Sequence, residues 1–287
     1  MKKISRILRA QGGHWVGDGF PVRSIFSYDR EAQENSPFLL FDYAGPYNFP
    51  PALAPRGVGQ HPHRGFETVT IAYEGEVAHR DSTGGGGTIR PGDVQWMTAA
   101  GGIIHEEFHS PAYTKTGGPF RMVQLWVNLP RKDKMSSPGY QGITSDTIPL
   151  VELAGGGTAR IIAGELNGAR GPARTFSPIN LWDVKLKAGT EVTLDLPEGH
   201  TTLVAVLSGR VTVDGSGVGE AEIIRFTREG SGAVIKADGD ATLLVLTGEP
   251  LNEPVVGYGP FVMSSEAEIR QAITDFNSGH FGQVAPA

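Results

Sequence analysis

The 287-residue chain contains no cysteine. That absence excludes disulfides, thiolate zinc sites, iron–sulfur ligation and a cysteine nucleophile, so any metal must be held by nitrogen and oxygen donors. No apolar run approaches the roughly 20 residues needed to span a bilayer, and no membrane association is expected. The opening "MKKISRILRA" carries charge, but no apolar segment follows it, so it does not read as a secretory leader and a cytoplasmic protein is expected. A basic surplus is lacking too. Lys and Arg number 25 against 31 Asp and Glu, a net charge of −6. Direct nucleic-acid binding is not expected, because phosphate contacts need a basic surface.

Long amphipathic helices are also missing, except near the C-terminus. In their place short β-like runs recur, among them "FLLFDYA", "ETVTIAY", "DVQWMTA", "RMVQLWVNL", "INLWDVKL", "TTLVAVLSG" and "ATLLVLTG". Turn residues separate them, drawn from 40 glycines and 20 prolines. Strands at this spacing without intervening helices predict a sandwich or barrel, and the length suits two packed domains. The one helix is expected in "SSEAEIRQAITDFNSG". Ser265 and Glu268 form a capping box there, and Gly279 is a natural stop. Ile269, Ala272, Ile273 and Phe276 make one apolar stripe, expected to pack on the protein's own core.

The two halves echo each other. "YEGEVAHRD" (73–81) has a counterpart in "LSGRVTVDG" (207–215), with Gly75 matching Gly209. We therefore expect two similar β-domains, 1–135 and 136–287, the second ending in the helix. The same offset sets His61 opposite Asp195, His63 opposite Pro197 and Glu67 opposite Thr201. The second domain is thus expected to lack the polar cluster of the first.

That cluster begins in "QHPHRGFETVT" (60–70), where His61 and His63 flank one proline. On an extended strand, residues i and i+2 share a face about 6.5–7 Å apart, close enough for two imidazoles to converge on one ion. "GGIIHEEFH" (101–109) repeats the spacing with His105 and Glu107. Across a small β-barrel these pairs supply three neutral nitrogens and a carboxylate, a set suited to Fe(II), Mn(II), Ni(II), Cu(II) or Zn(II).

"HPHRGFETVTIAYEGEVAHRDS", "IRPGDVQWMTAAGGIIHEE" and "GEPLNEPVVGYGPFVMSSEAEI" resemble the signatures of the pirin family, within the cupin superfamily. The resemblance covers nearly the whole chain. It implies an all-β bicupin of two tandem jelly-roll barrels with a short C-terminal helix. One mononuclear metal is expected in the N-terminal barrel, held by His61, His63, His105 and Glu107. Fe(II) is the expected ion, with Mn, Ni, Cu, Co or Zn as alternatives. The wider cupin pattern would take Glu67 as the carboxylate. The pirin resemblance favours Glu107 and leaves Glu67 to orient a ligand histidine, or to pair with Arg64 or a backbone amide.

The resemblance implies two functions. One is a quercetin 2,3-dioxygenase, which cleaves a flavonol with O2 and releases carbon monoxide. There Glu107 would accept the proton of the flavonol 3-hydroxyl, beside an apolar pocket for which Phe66, Trp96 and Phe108 are candidates. The other is a non-enzymatic regulator that binds transcription factors or metabolic enzymes according to the redox state of its metal. The remaining polar positions are expected to be structural. His109 reads as a rim or solvent position, and His79 and Asp81 as structural or surface residues. His14, His200 and His280 stand alone. "STGGGG" (82–87) and "DGSGVG" (214–219) lack phosphate-loop or nucleophile-elbow spacing and read as turns.

Overall fold

The computed structural model describes residues 1–285. In chain order the first strands are β1 (Ile4–Arg9), β2 (His14–Val16), β3 (Phe20–Ser27), β4 (Phe38–Phe49), β5 (Gly57–His63) and β6 (Phe66–Glu74). Then come β7 (Val77–Asp81), β8 (Gly86–Ile89), β9 (Val94–Thr98), β10 (Ile103–His109), β11 (Gly118–Asn128) and β12 (Gly139–Ile143). The second half supplies β13 (Leu150–Glu152), β14 (Thr158–Ala163), a small hairpin β15 (Glu165–Leu166) and β16 (Ala169–Arg170), and β17 (Ile179–Leu186). It continues with β18 (Glu191–Asp195), β19 (Thr201–Ser208), β20 (Arg210–Val213), β21 (Ser216–Gly219) and β22 (Glu222–Phe226). The last strands are β23 (Gly232–Ala237), β24 (Ala241–Gly248), β25 (Val256–Tyr258) and β26 (Phe261–Met263). Helices α1 (Tyr28–Asn35) and α2 (Pro111–Thr116) are short, and α3 (Glu266–Asn277) closes the chain. Among the described residues no helix is long and apolar enough to cross a membrane.

The chain forms two compact units. One comprises residues 12–32, 38–145 and 252–285; the other comprises 1–11, 33–37 and 146–251. The expected division at 135/136 would cut α3 away from the unit it packs in and would put β1 with the other half. The reason is the sheet edges. β1 pairs with β22, with Ile7 opposite Ile224, and β12 pairs with β9, with Gln141 opposite Trp96. Each covers backbone groups that an open edge would leave unpaired.

The first unit has a seven-stranded sheet, β12-β9-β6-β11-β4-β3-β2, and a four-stranded sheet, β5-β10-β7-β8. The second repeats the order as β1-β22-β19-β24-β17-β14-β13 and β18-β23-β20-β21. This is the expected all-β pair of jelly-roll units with a short C-terminal helix. The echo of Gly75 and Gly209 lies in equivalent turns, β6–β7 and β19–β20, where both glycines adopt positive φ. Register extends the match. His109 pairs with Val77 as Ala237 pairs with Val211. Counting back along each strand, Glu107 then corresponds to Ile235, His105 to Ala233 and His79 to Val213. Those three second-unit residues belong to one aliphatic core. The same rows carry imidazoles and a carboxylate in the first unit.

The α3 stripe packs as expected. Ile269 and Ala272 are buried with Phe261, Met263 and Phe281, and Ile273 and Phe276 flank them. Ser265 caps the helix by accepting from Glu268 N, while Glu268 Oε2 accepts from Ser264 N at 2.9 Å. Arg64, one residue after His63, ties α3 to the histidine motif. Its Nη1 donates to Asp275 Oδ2 at 2.8 Å and its Nε to Gly101 O at 2.8 Å, and the guanidinium lies over the Phe281 ring.

Candidate metal centre

Three imidazoles converge where β5 meets β10. His61 lies directly opposite His105 in the antiparallel register, and His63 is opposite Ile103. A bulge between His105 and Glu107 interrupts the ladder there, as such irregularities often do beside functional sites. Ring centroids lie 4.2 Å apart for His61–His105 and 4.9 Å apart for His63–His105. One potential donor atom from each of His61, His63 and His105 falls within 4.8 Å of the other two. A second trio, His79, His105 and Glu107, meets the same limit, so Glu107 shares a trio with His105 and not with His61 or His63.

The electrostatics favour neutral nitrogens. Burial, reinforced by the neighbouring imidazoles, pushes His63 and His105 well below the ordinary histidine range. Their lone pairs are therefore available. Among the described residues, His63 Nδ1 and His105 Nε2 are buried without a hydrogen-bond partner. A buried polar atom left unpaired costs about 1–3 kcal/mol, which a cation bound among these donors would offset. The set is all nitrogen and oxygen, and it fits a divalent transition metal.

Glu107 is loosely held for a buried carboxylate. The Thr70 hydroxyl is 2.6 Å from Gln124 Oε1 and 3.4 Å from Glu107 Oε1. A hydroxyl has one proton, and the shorter contact claims it. Glu67 is different. It accepts from Thr98 Oγ1 at 2.7 Å, and burial pushes its carboxyl up to about 7. It belongs to neither trio. Strand parity explains why. Thr70, which approaches Glu107, is three residues from Glu67 on the unbulged β6–β9 pairing, so the two face opposite sides of the sheet. Among the described residues Glu67 pairs with neither Arg64 nor an imidazole of the cluster.

Other expectations need correction. His109 is not a solvent position. It is buried among Phe49, Tyr113 and Phe120, with Nε2 donating to Gly19 O at 3.0 Å. For His79 and Asp81 only the surface alternative falls: both are buried, with His79 Nε2 3.1 Å from Asp81 Oδ2. They form a third i, i+2 pair, the one sequence signal that could have attached them to the site. Of the proposed pocket aromatics, Phe66 does lie beside His63, with centroids 5.1 Å apart, stacked on Trp126. Trp96 pairs with Val69, opposite in parity to Thr70, and Phe108 opposes the parity of Glu107. Neither shares the imidazole face. Trp126, 5.2 Å from His63, and Tyr140, stacked on His79, take those places.

Comparison with known proteins places the chain in a family. A family model described as Pirin matches residues 19–127, and one described as Pirin C-terminal cupin domain matches residues 181–282. The chain is 58% identical over 282 residues to a Pseudomonas aeruginosa protein provisionally named quercetin 2,3-dioxygenase, covering 98% of this chain and 99% of that one. It is 38% identical over 281 residues to a pirin-like protein of Caulobacter vibrioides, covering 97% and 99% of the two chains. A crystal structure of quercetin 2,3-dioxygenase from Acinetobacter baumannii superposes with a TM-score of 0.96 at 56% identity, covering 99% of this chain and all of that one.

Proposed function

Because this chain belongs to the pirin family of bicupins, we propose that it is a mononuclear metal protein with quercetin 2,3-dioxygenase activity. His61, His63, His105 and Glu107 hold one divalent transition metal, Fe(II) first among the candidates. The observation that carries the reading is the pair of buried, unpartnered nitrogens on His63 and His105, gathered with His61 inside one unit. The names of the Pseudomonas and Acinetobacter relatives support a flavonol as substrate and O2 as co-substrate.

When bound, the metal would supply Lewis acidity and a redox path between flavonol and dioxygen. The protein's part is positional. Glu107 takes the proton of the flavonol 3-hydroxyl, since the Thr70 hydroxyl is turned chiefly to Gln124 and leaves a lone pair free. His63 and His105, neutral and desolvated, hold geometry and shuttle no proton. The Phe66–Trp126 stack offers an aromatic wall beside His63 for a flat substrate. His61 is partly exposed and marks the open side of the cluster.

Anaerobic loading with Fe(II), followed by quercetin loss at its visible band and detection of carbon monoxide, tests the activity. Stoichiometric carbon monoxide is expected. No turnover with Fe, Mn, Ni, Cu or Co at full occupancy would overturn the dioxygenase reading in favour of a redox-dependent regulator.

A further inference from the structure

A polar chain runs behind the proposed ligands. Asp81, His79 and His105 follow one another in the interior of the first unit, all buried. Asp81 Oδ2 is 3.1 Å from His79 Nε2, and His79 Nδ1 is 3.2 Å from His105 Nδ1. The far end, His105 Nε2, has no partner among the described residues.

We propose that Asp81 and His79 are positioning residues that fix the tautomer of His105, so that its Nε2 meets a metal as a bare lone pair. This rests on the metal-site reading above. The order of hydrogens follows from which atoms can donate. Asp81 Oδ1 accepts from Thr83 N at 2.8 Å, Thr83 Oγ1 at 2.6 Å and Gly85 N at 3.0 Å. A carboxylate so surrounded is ionised and only accepts. His79 Nε2 therefore carries a hydrogen. With its hydrogen committed to Nε2, His79 presents Nδ1 as the acceptor across 3.2 Å, and the hydrogen of that contact sits on His105 Nδ1. Neutral His105 is then bare at Nε2. The reverse order would put a hydrogen on Nε2 and block it as a ligand.

The surrounding structure holds this arrangement in place. The glycine run after Asp81 forms the β7–β8 turn. A Cβ on Gly85 would lie 2.7 Å from Asp81 Oδ2, and one on Gly86 would lie 2.4 Å from His79 O. The turn can wrap its donors around the carboxylate only because those side chains are missing. Tyr140 stacks on the His79 ring, centroids 5.1 Å apart at 23°. In the second unit the matching rows carry Val213 and Ala233 in an aliphatic core, so the relay occurs in the unit that holds the imidazole cluster.

The test combines ¹⁵N-histidine NMR of the full chain, stripped of metal, with Co(II) titration by competition and by its visible spectrum. In the wild type His105 should carry its hydrogen on Nδ1. Asp81→Asn keeps a carbonyl oxygen for Thr83 and Gly85 but turns an NH₂ toward His79, which reverses the chain. It should move the His105 hydrogen to Nε2 and weaken Co(II) binding about 10–100-fold, with an altered spectrum. Adding His79→Asn places a carbonyl oxygen where Nδ1 stood and should restore most of that affinity. A wild-type His105 protonated on Nε2 would overturn the proposal, and so would an Asp81→Asn variant that binds Co(II) with wild-type affinity and spectrum. The wild-type NMR result stands even if the variant does not fold. Correct tautomers in a wild-type chain that binds no Co(II) would support the relay and sink the metal-site reading instead.

Discussion

His61 and His105 face each other across the β5–β10 pair with ring centroids 4.2 Å apart, yet His61 is partly exposed and His105 fully buried. Their losses should therefore differ. His61→Ala should abolish metal binding and change the stability of the metal-free chain by less than about 1 kcal/mol. His105→Ala should abolish metal binding and also cost about 1–3 kcal/mol, because His79 Nδ1 loses its partner inside the protein. Elemental analysis and chemical denaturation of the stripped protein separate the two effects.

Glu67 should impose a pH dependence of its own. The folded chain keeps it protonated up to about 7, whereas the ordinary value is 4.5. Between those values the folded state binds more protons than the unfolded state, so this group's contribution to stability falls as pH rises and is flat above that window. The total loss is about 3 kcal/mol. Glu67→Gln should remove the slope between about pH 4.5 and about pH 7 in denaturation curves and leave metal content unchanged. Glu107→Gln should instead lower metal content. Loss of metal in Glu67→Gln would reverse their assigned roles.

Lys134 is a buried amine on which the first unit depends. Its Nζ donates to Gly65 O at 2.7 Å, Asn128 Oδ1 at 2.6 Å and Val262 O at 2.9 Å, joining the turn after the histidine motif to β26. Lys134→Met leaves those acceptors unpaired and should destabilise the chain by about 2–4 kcal/mol, read as a lower denaturation midpoint. Burial pushes the amine down to about 7 from 10.5. Between those values the unfolded state binds more protons, so this contribution to stability rises with pH. Lys134→Met should abolish the rise.

The second unit should reject the first unit's chemistry. Ile235 stands where Glu107 does but lies in an aliphatic core with Leu194, Val213 and Ala233. Ile235→Glu should cost about 3–5 kcal/mol for an unpaired buried charge, against about 0.5–1.5 kcal/mol for Ile235→Val. Thermal unfolding of both variants checks the contrast.

The proposed ligand pairs were legible because a strand's period of two is local. His61/His63 and His105/Glu107 each share a face whatever the rest of the chain does. What joins the pairs is the register between β5 and β10, which no local pattern states. The surroundings of Glu67 were not legible because parity cannot be counted through the turn at Arg64–Gly65, where Gly65 adopts positive φ. His79 and Asp81 have the same spacing signal, but their burial depends on β10 lying alongside β7. His109 shares the parity of His105, and only the distant Phe49 and Phe120 rings decide that it is core. The exchange of β1 and α3 between the halves is likewise a matter of non-local pairing.

Anomalous diffraction from crystals soaked anaerobically in ferrous salt tests the central claim most directly. The account predicts one iron peak in the first unit, at about 2.0–2.2 Å from nitrogen or oxygen donors, bounded by His61, His63, His105 and Glu107. A fully soaked crystal with no peak there, or with iron held by Glu67 or in the second unit, would contradict it.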